Sequence, residues 1–108
     1  ILINSAVKGQ QKKKPVAKQN VAADIETGKL LVTKSDCMTC HRNDFKLVGP
    51  AYKDVAIKYA TTPNAITYLS GKIIKGGGGV WGEVPMAAHP TITPQDAKKI
   101  ATYILTIK

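Results

Sequence analysis

Aromatic side chains are scarce in this 108-residue chain: one Trp, one Phe and four Tyr make up 6% of it. Aromatics supply much of the buried area of small cores, so this chain must find apolar contact elsewhere. Cysteine is equally sparse. Two cysteines three positions apart exclude the multi-bridge framework of small secreted scaffolds. No apolar run approaches the roughly 18 residues that a membrane-crossing helix needs. The sequence does not begin with Met and opens on no secretory-signal pattern, so any targeting segment is expected to have been removed. Apolar residues reach 44%, which excludes a wholly disordered chain, and the length suits one domain.

Acids are missing from the first twenty residues. Residues 1–20 hold Lys8, Lys12, Lys13, Lys14 and Lys18 with no Asp or Glu, so about half of the net charge of +9 lies there. Pro15 and the polar run from Gln10 break any periodicity. The segment reads as a lysine-rich extension or linker, poorly ordered, ahead of a domain spanning 21–108. Ile1-Leu2-Ile3 reads either as an edge strand or as the remnant of a larger chain. Nucleic acid is not the expected partner, because no aromatics interleave with these lysines.

From Val21 onward the pattern is helical. Asn20 is the expected N-cap, with Asp24 and Glu26 at the dipole-favoured end. Val21, Ile25, Gly28 and Val32 follow a 3–4 spacing, beside Leu31. Pro50 suits a first helical position, and Tyr52, Val55, Ala56 and Tyr59 line the face that follows. Thr62-Pro63 predicts another start, with Ile66, Leu69 and Ile73 inward and Gly76 as the stop. The last helix is marked by Thr93, Pro94 and Asp96. Its stripe is Ala97, Ile100, Ala101, Ile104 and Leu105. Gly76 to Gly79 lacks the Gly-Lys-Ser/Thr and the strand of a phosphate-binding loop. Backbone passing close to something bulky accounts for it better. The expected fold is all-α, with about four helices and long glycine- and proline-rich connections. Such short helices are marginal alone, a deficit that a large apolar cofactor would repair.

Cys37-Met38-Thr39-Cys40-His41 is C-x-x-C-H, the attachment pattern for c-type haem. Two thiols one helical turn apart can add to the two vinyl groups of a porphyrin, and the next residue can then supply an imidazole to iron. Three rivals fit less well. A thioredoxin-like pair needs a βαβ setting. A zinc site from Cys37, Cys40, His41 and His89 puts two ligands on adjacent residues. A disulfide here closes a trivial loop.

With haem, His41 is the proximal ligand and a second axial group is needed. Met38 lies within the attachment loop, which leaves Met86 and His89. Met86 follows Pro85, which can hold a thioether at fixed geometry, and is the favoured residue. His89 remains the alternative ligand, and is otherwise an exposed loop histidine before Pro90.

These residues resemble class I monohaem cytochromes c of the short bacterial type. The resemblance covers Val21 to Lys108 and rests on four features in order. They are Cys37 to His41, Val48-Gly49-Pro50, Val80-Trp81-Gly82-Glu83-Val84-Pro85-Met86 and the terminal helix. It implies a class I cytochrome c fold wrapped around one haem c held by Cys37 and Cys40. It also implies that the Pro50 carbonyl accepts a hydrogen bond from His41, and that Trp81 packs beside the haem and bonds a propionate. Gly28 and Tyr103 match the crossing of the first and last helices.

The expected function is one-electron transfer by a monomer with His41/Met86 ligation, not an enzyme. The expected location is periplasmic or otherwise extracytoplasmic, where covalent attachment protects against loss of the cofactor. Lys46, Lys53, Lys72 and Lys75 are candidates for steering an acidic redox partner. The basic extension departs from the family and suits a membrane tether. Two alternatives stand: the electron outlet of a larger dehydrogenase or oxidase, and a haem sensor with a labile sixth ligand.

Overall fold

The computed structural model describes residues 21–108. The expected extension, its edge strand and the Asn20 cap lie outside the described residues. Five helices are present among them: α1 over residues 21–34, α2 Cys37–Cys40, α3 Tyr52–Lys58, α4 Ala65–Lys75 and α5 Pro94–Ile104. The sequence predicted about four. The additional one, α2, is the single turn that carries the cysteine pair, too short to show a periodic stripe. Extended pairing among the described residues is limited to one antiparallel bridge, Gly77 with Met86.

Helix α5 is the axis of the core. Thr93 Oγ1 accepts from the Asp96 amide at 3.1 Å, and Pro94 occupies the first turn. Ala97, Ile100, Ala101 and Ile104 are all buried, as their spacing requires. Helices α3 and α4 both pack on this element. The inward face of α4 is Ala65, Leu69, Ser70 and Ile73 rather than the expected Ile66, Leu69 and Ile73. Helix α4 begins at Ala65, after Asn64 in the left-handed conformation (φ 60°), and not at Thr62-Pro63. The resulting i, i+4, i+8 row turns Ile66 outward. The buried Ser70 hydroxyl donates to the Thr67 carbonyl at 2.9 Å, so its burial leaves nothing unpaired.

Pro50 also departs from expectation. Helix α3 starts two residues later, at Tyr52. Its first amides find partners in the preceding loop, Tyr52 N–H to the Arg42 carbonyl (2.8 Å) and Lys53 N–H to the Asn43 carbonyl (3.1 Å). Because Pro50 stays outside the helix, its own carbonyl is free for another donor.

Helix α1 crosses α5 at Gly28. A Cβ there would run into the Lys99 carbonyl and come within 2.9 Å of Tyr103 Cβ. Alanine at this position gains about 1 kcal/mol of helix propensity. Overpacking typically costs about 1–3 kcal/mol, and here the obstacle is backbone, which cannot rotate aside. Gly28→Ala is therefore expected to lower the urea midpoint by an equivalent of about 1 kcal/mol or more. An unchanged or raised midpoint, followed by circular dichroism, would refute this account of the crossing.

Candidate functional site

The site is built first on α2. The His41 amide donates to the Cys37 carbonyl at 3.0 Å, placing His41 one turn beyond the first thiol. The chain then turns extended at His41 (φ −121°, ψ 152°). The Arg42 guanidinium donates to the carbonyls of Met38 and, at 3.0 Å, of His41. It thus caps the carbonyl end of a helix that has no room for a glycine cap. Sequence reasoning missed Arg42. The available signal was a basic residue just beyond a short helix end.

The His41 ring is held on three sides. Nδ1 lies 2.8 Å from the Pro50 carbonyl, which can only accept, so Nδ1 carries the proton. Tyr52 stacks on the imidazole with centroids 4.8 Å apart and an interplanar angle of 20°. Gly49 lies against the ring: a Cβ there would come within 2.5 Å of Cε1. The Gly49 amide in turn donates to the Cys40 carbonyl at 2.7 Å, closing the 42–49 loop back on α2. With Nδ1 occupied, Nε2 presents a lone pair and has no hydrogen-bond partner among the described residues. It is not sealed off, since no fully buried side-chain polar atom there lacks a partner. Tyr52, expected only as a core residue, is a wall of the site.

The two cysteines form no disulfide; Cys37 is buried and Cys40 half-buried. Burial pushes the Cys37 thiol up, with the Asp36 charge adding to the effect, so it is neutral at physiological pH. Burial likewise raises the Tyr52 phenol, which remains a neutral hydroxyl.

Met86 and Trp81 lie on the loop after α4. Met86 is half-buried and packs on the core cluster. Its backbone is paired in both directions with Gly77, at 2.8 and 3.1 Å. The glycine run makes this pairing possible. Gly76 (φ +71°) ends α4, and a Cβ there would strike the Met86 carbonyl; Gly77 has φ +118°. The bulky neighbour expected of these glycines is thus the backbone of the methionine loop. Trp81 is 39% exposed and not plain core. Lys58 Nζ lies 5.8 Å from the Trp81 and Tyr59 ring centroids, which groups these three residues.

His89 is half-buried rather than exposed, and both its nitrogens are engaged. Nδ1 is 3.2 Å from the Ile73 carbonyl and Nε2 is 2.6 Å from Asp36 Oδ1. Both nitrogens thus face other partners, which counts against its reading as alternative ligand.

The donors present fit haem c. Two thiols stand one helical turn apart beside an imidazole whose Nε2 lone pair is available. Glycine, not a side chain, abuts the ring at Cε1, while Tyr52 stacks on its face. The two flanking loops expose Phe45, Leu47 and Val48, and Val80, Trp81 and Val84. Five other large apolar side chains are exposed on helices among the described residues, but these two loops hold the remaining six; exposed apolar patches mark binding surfaces, and a flat apolar macrocycle suits them.

Known proteins agree with this chemistry. The sequence pattern of the family "Cytochrome c" matches residues 25–108. The chain is 53% identical over 78 residues to cytochrome c-552 of Hydrogenobacter thermophilus, covering 72% of this chain and 79% of that protein. It is 42% identical over 83 residues to cytochrome c-551 of Azotobacter vinelandii, covering 77% and 100% respectively. The crystal structure of wild-type Nitrosomonas europaea cytochrome c552 is similar, with a TM-score of 0.70 and 49% identity over 72% of this chain and 96% of that one. A chain that folds as these do and matches the family over most of its length belongs to it: this is a class I monohaem cytochrome c, which transfers electrons on one covalently bound haem c.

Proposed function

We propose that the iron is held between His41 Nε2 and the Met86 thioether, and that the protein is a free electron carrier. The observation that carries this reading is the anchored imidazole. One nitrogen is fixed by Pro50, so the other is presented unprotonated next to the two thiols. Haem, when bound, supplies an iron that cycles between ferric and ferrous states. The chain's own residues do the rest. Cys37 and Cys40 fix the porphyrin edge as thioethers. Pro50 sets the tautomer and raises the basicity of His41. A soft thioether from Met86 favours the ferrous state and so raises the potential. Trp81, beside the Lys58 cation, is suited to bond a propionate.

The carrier reading is supported by how much of the small cytochrome relatives the chain spans, from 76% to 100% in three of them. We further propose that residues 21–108 form the cytochrome domain and residues 1–20 a linker or tether, in an extracytoplasmic, periplasmic setting, and that the carrier is monomeric. Lys46 and Lys75 are exposed, Lys53 and Lys72 half-buried. They would steer an acidic redox partner.

One optical comparison tests the axial pair. The ferric wild type is expected to show the weak far-red band of methionine-bound haem, and the ferrous form to resist carbon monoxide at neutral pH. Met86→Ala is expected to lose that band, to bind carbon monoxide and to drop in potential by on the order of 0.1 V, within the ~0.8 V range that axial ligands command. Carbon monoxide binding by the wild type would instead favour the sensor with a labile sixth ligand.

Gly49→Ala probes the other face. Its Cβ would push on the imidazole and tilt it away from the Pro50 carbonyl, weakening a hydrogen bond worth about 1 kcal/mol. The expected result is a shifted potential and a lower urea midpoint with haem still attached. A variant indistinguishable from wild type in both would mean that the close approach of Gly49 to His41 does not matter.

A further inference from the structure

We infer that His89 is a positioning residue: it bridges the end of α4 to the start of α2 and thereby holds the Met86 loop against the helix that carries the cysteines. This rests on the proposal that Met86 is the sixth ligand.

Four hydrogen-bond contacts converge on this residue. Its amide donates to the carbonyls of Ile73 (3.1 Å) and Ile74 (3.0 Å). Its ring meets the Ile73 carbonyl through Nδ1 (3.2 Å) and Asp36 Oδ1 through Nε2 (2.6 Å). An ionised carboxylate can only accept, so Nε2 donates to Asp36. The contact is then a charge-assisted hydrogen bond. Contact with His89, first through that hydrogen bond and then through its charge, holds the Asp36 carboxyl below its usual range, which keeps it ionised at neutral pH.

Location gives the bridge its function. Asp36 immediately precedes Cys37, and His89 lies three residues after Met86. The two partners are 53 positions apart in the chain, and theirs is the one ion pair among the described residues. Upstream, Met86 is fixed by its backbone pairing with Gly77. Downstream, Ala87 and Ala88 are exposed and offer no side-chain anchor, so the next fixed point is His89. Three residues of chain reach at most ~11 Å, so a fixed His89 leaves Met86 little travel. Pro90 further restricts the His89 backbone to extended conformations.

An exposed ion pair often contributes nothing measurable, and Asp36 is 70% exposed. The His89 side chain, however, is only 17% exposed and is already oriented by Ile73. Little side-chain entropy then remains to be lost in meeting Asp36.

The test uses the intact haem protein with His89→Asn, Asp36→Ala and the double variant. Asparagine can still donate to Ile73 but does not reach Asp36. Two readouts are followed: amide hydrogen exchange over residues 85–89, and the limiting rate at which cyanide binds the ferric protein, set by methionine release. Each single variant is expected to speed both by about three- to tenfold, as suits one charge-assisted bond partly open to water. The double variant should be no faster than either single one, and the urea midpoint should move less than the opening rates. Unchanged exchange, or effects that multiply in the double variant, would overturn the bridge. Faster exchange with an unaltered cyanide rate would overturn the positioning role. A ferric wild type without the methionine band would overturn the Met86 assignment and with it the positioning role, while the exchange data still decide whether His89 and Asp36 clamp the loop.

Discussion

The hydrogen bond from His41 Nδ1 to the Pro50 carbonyl is the constraint around which the rest is arranged. It decides which ring nitrogen is protonated and therefore which one can bind iron. For the bond to exist, Pro50 must lie outside α3, since a carbonyl inside the helix would be taken by an amide one turn on. The helix can afford to start late because Arg42 and Asn43 carbonyls satisfy its first amides. The same loop is closed onto α2 by Gly49, whose missing side chain lets it rest against the imidazole. Tyr52 then covers the ring from the first turn of α3.

The second half of the site is framed by backbone rather than side chains. Helix α4 ends in glycines because the methionine loop crosses directly over them, and two of those glycines adopt positive φ to form the bridge with Met86. The α1–α5 crossing uses the same device at Gly28, where one helix rests on a carbonyl of the other. In both places a small core is tightened by bringing main chains together, which suits a chain with few aromatics to bury. Among the described residues, six of the eleven exposed large apolar side chains lie on two loops, the one that follows His41 and the one that carries Met86. The stability of the domain is in this sense shared with its cofactor.

Much was legible before any coordinates. The cysteine pair and adjacent histidine specify their chemistry by spacing alone, because one helical turn is the distance a porphyrin edge demands. The stripe and cap of α5 were equally plain, since both are local periodicities. Less legible were features that depend on rotation about a helix axis or on a partner far away in sequence. Ile66 reads as core and is exposed, because α4 begins at Ala65 and its inward row runs through Ala65, Leu69 and Ile73. Pro50 reads as a helix start, because its fixed φ suits one; only the competing donor on His41 shows why it is not. Tyr52 and Arg42 carry no motif at all.

Residue order by itself determined which chemistry this protein performs, since the thiol spacing and the adjacent imidazole are covalent facts. Tertiary structure alone decided how that chemistry is held. The proton on Nδ1, the glycine against the ring, and the union of Asp36 with a histidine 53 positions away depend on distances in space. Local sequence encodes backbone preference. It does not encode which distant carbonyl or carboxylate arrives to receive a proton.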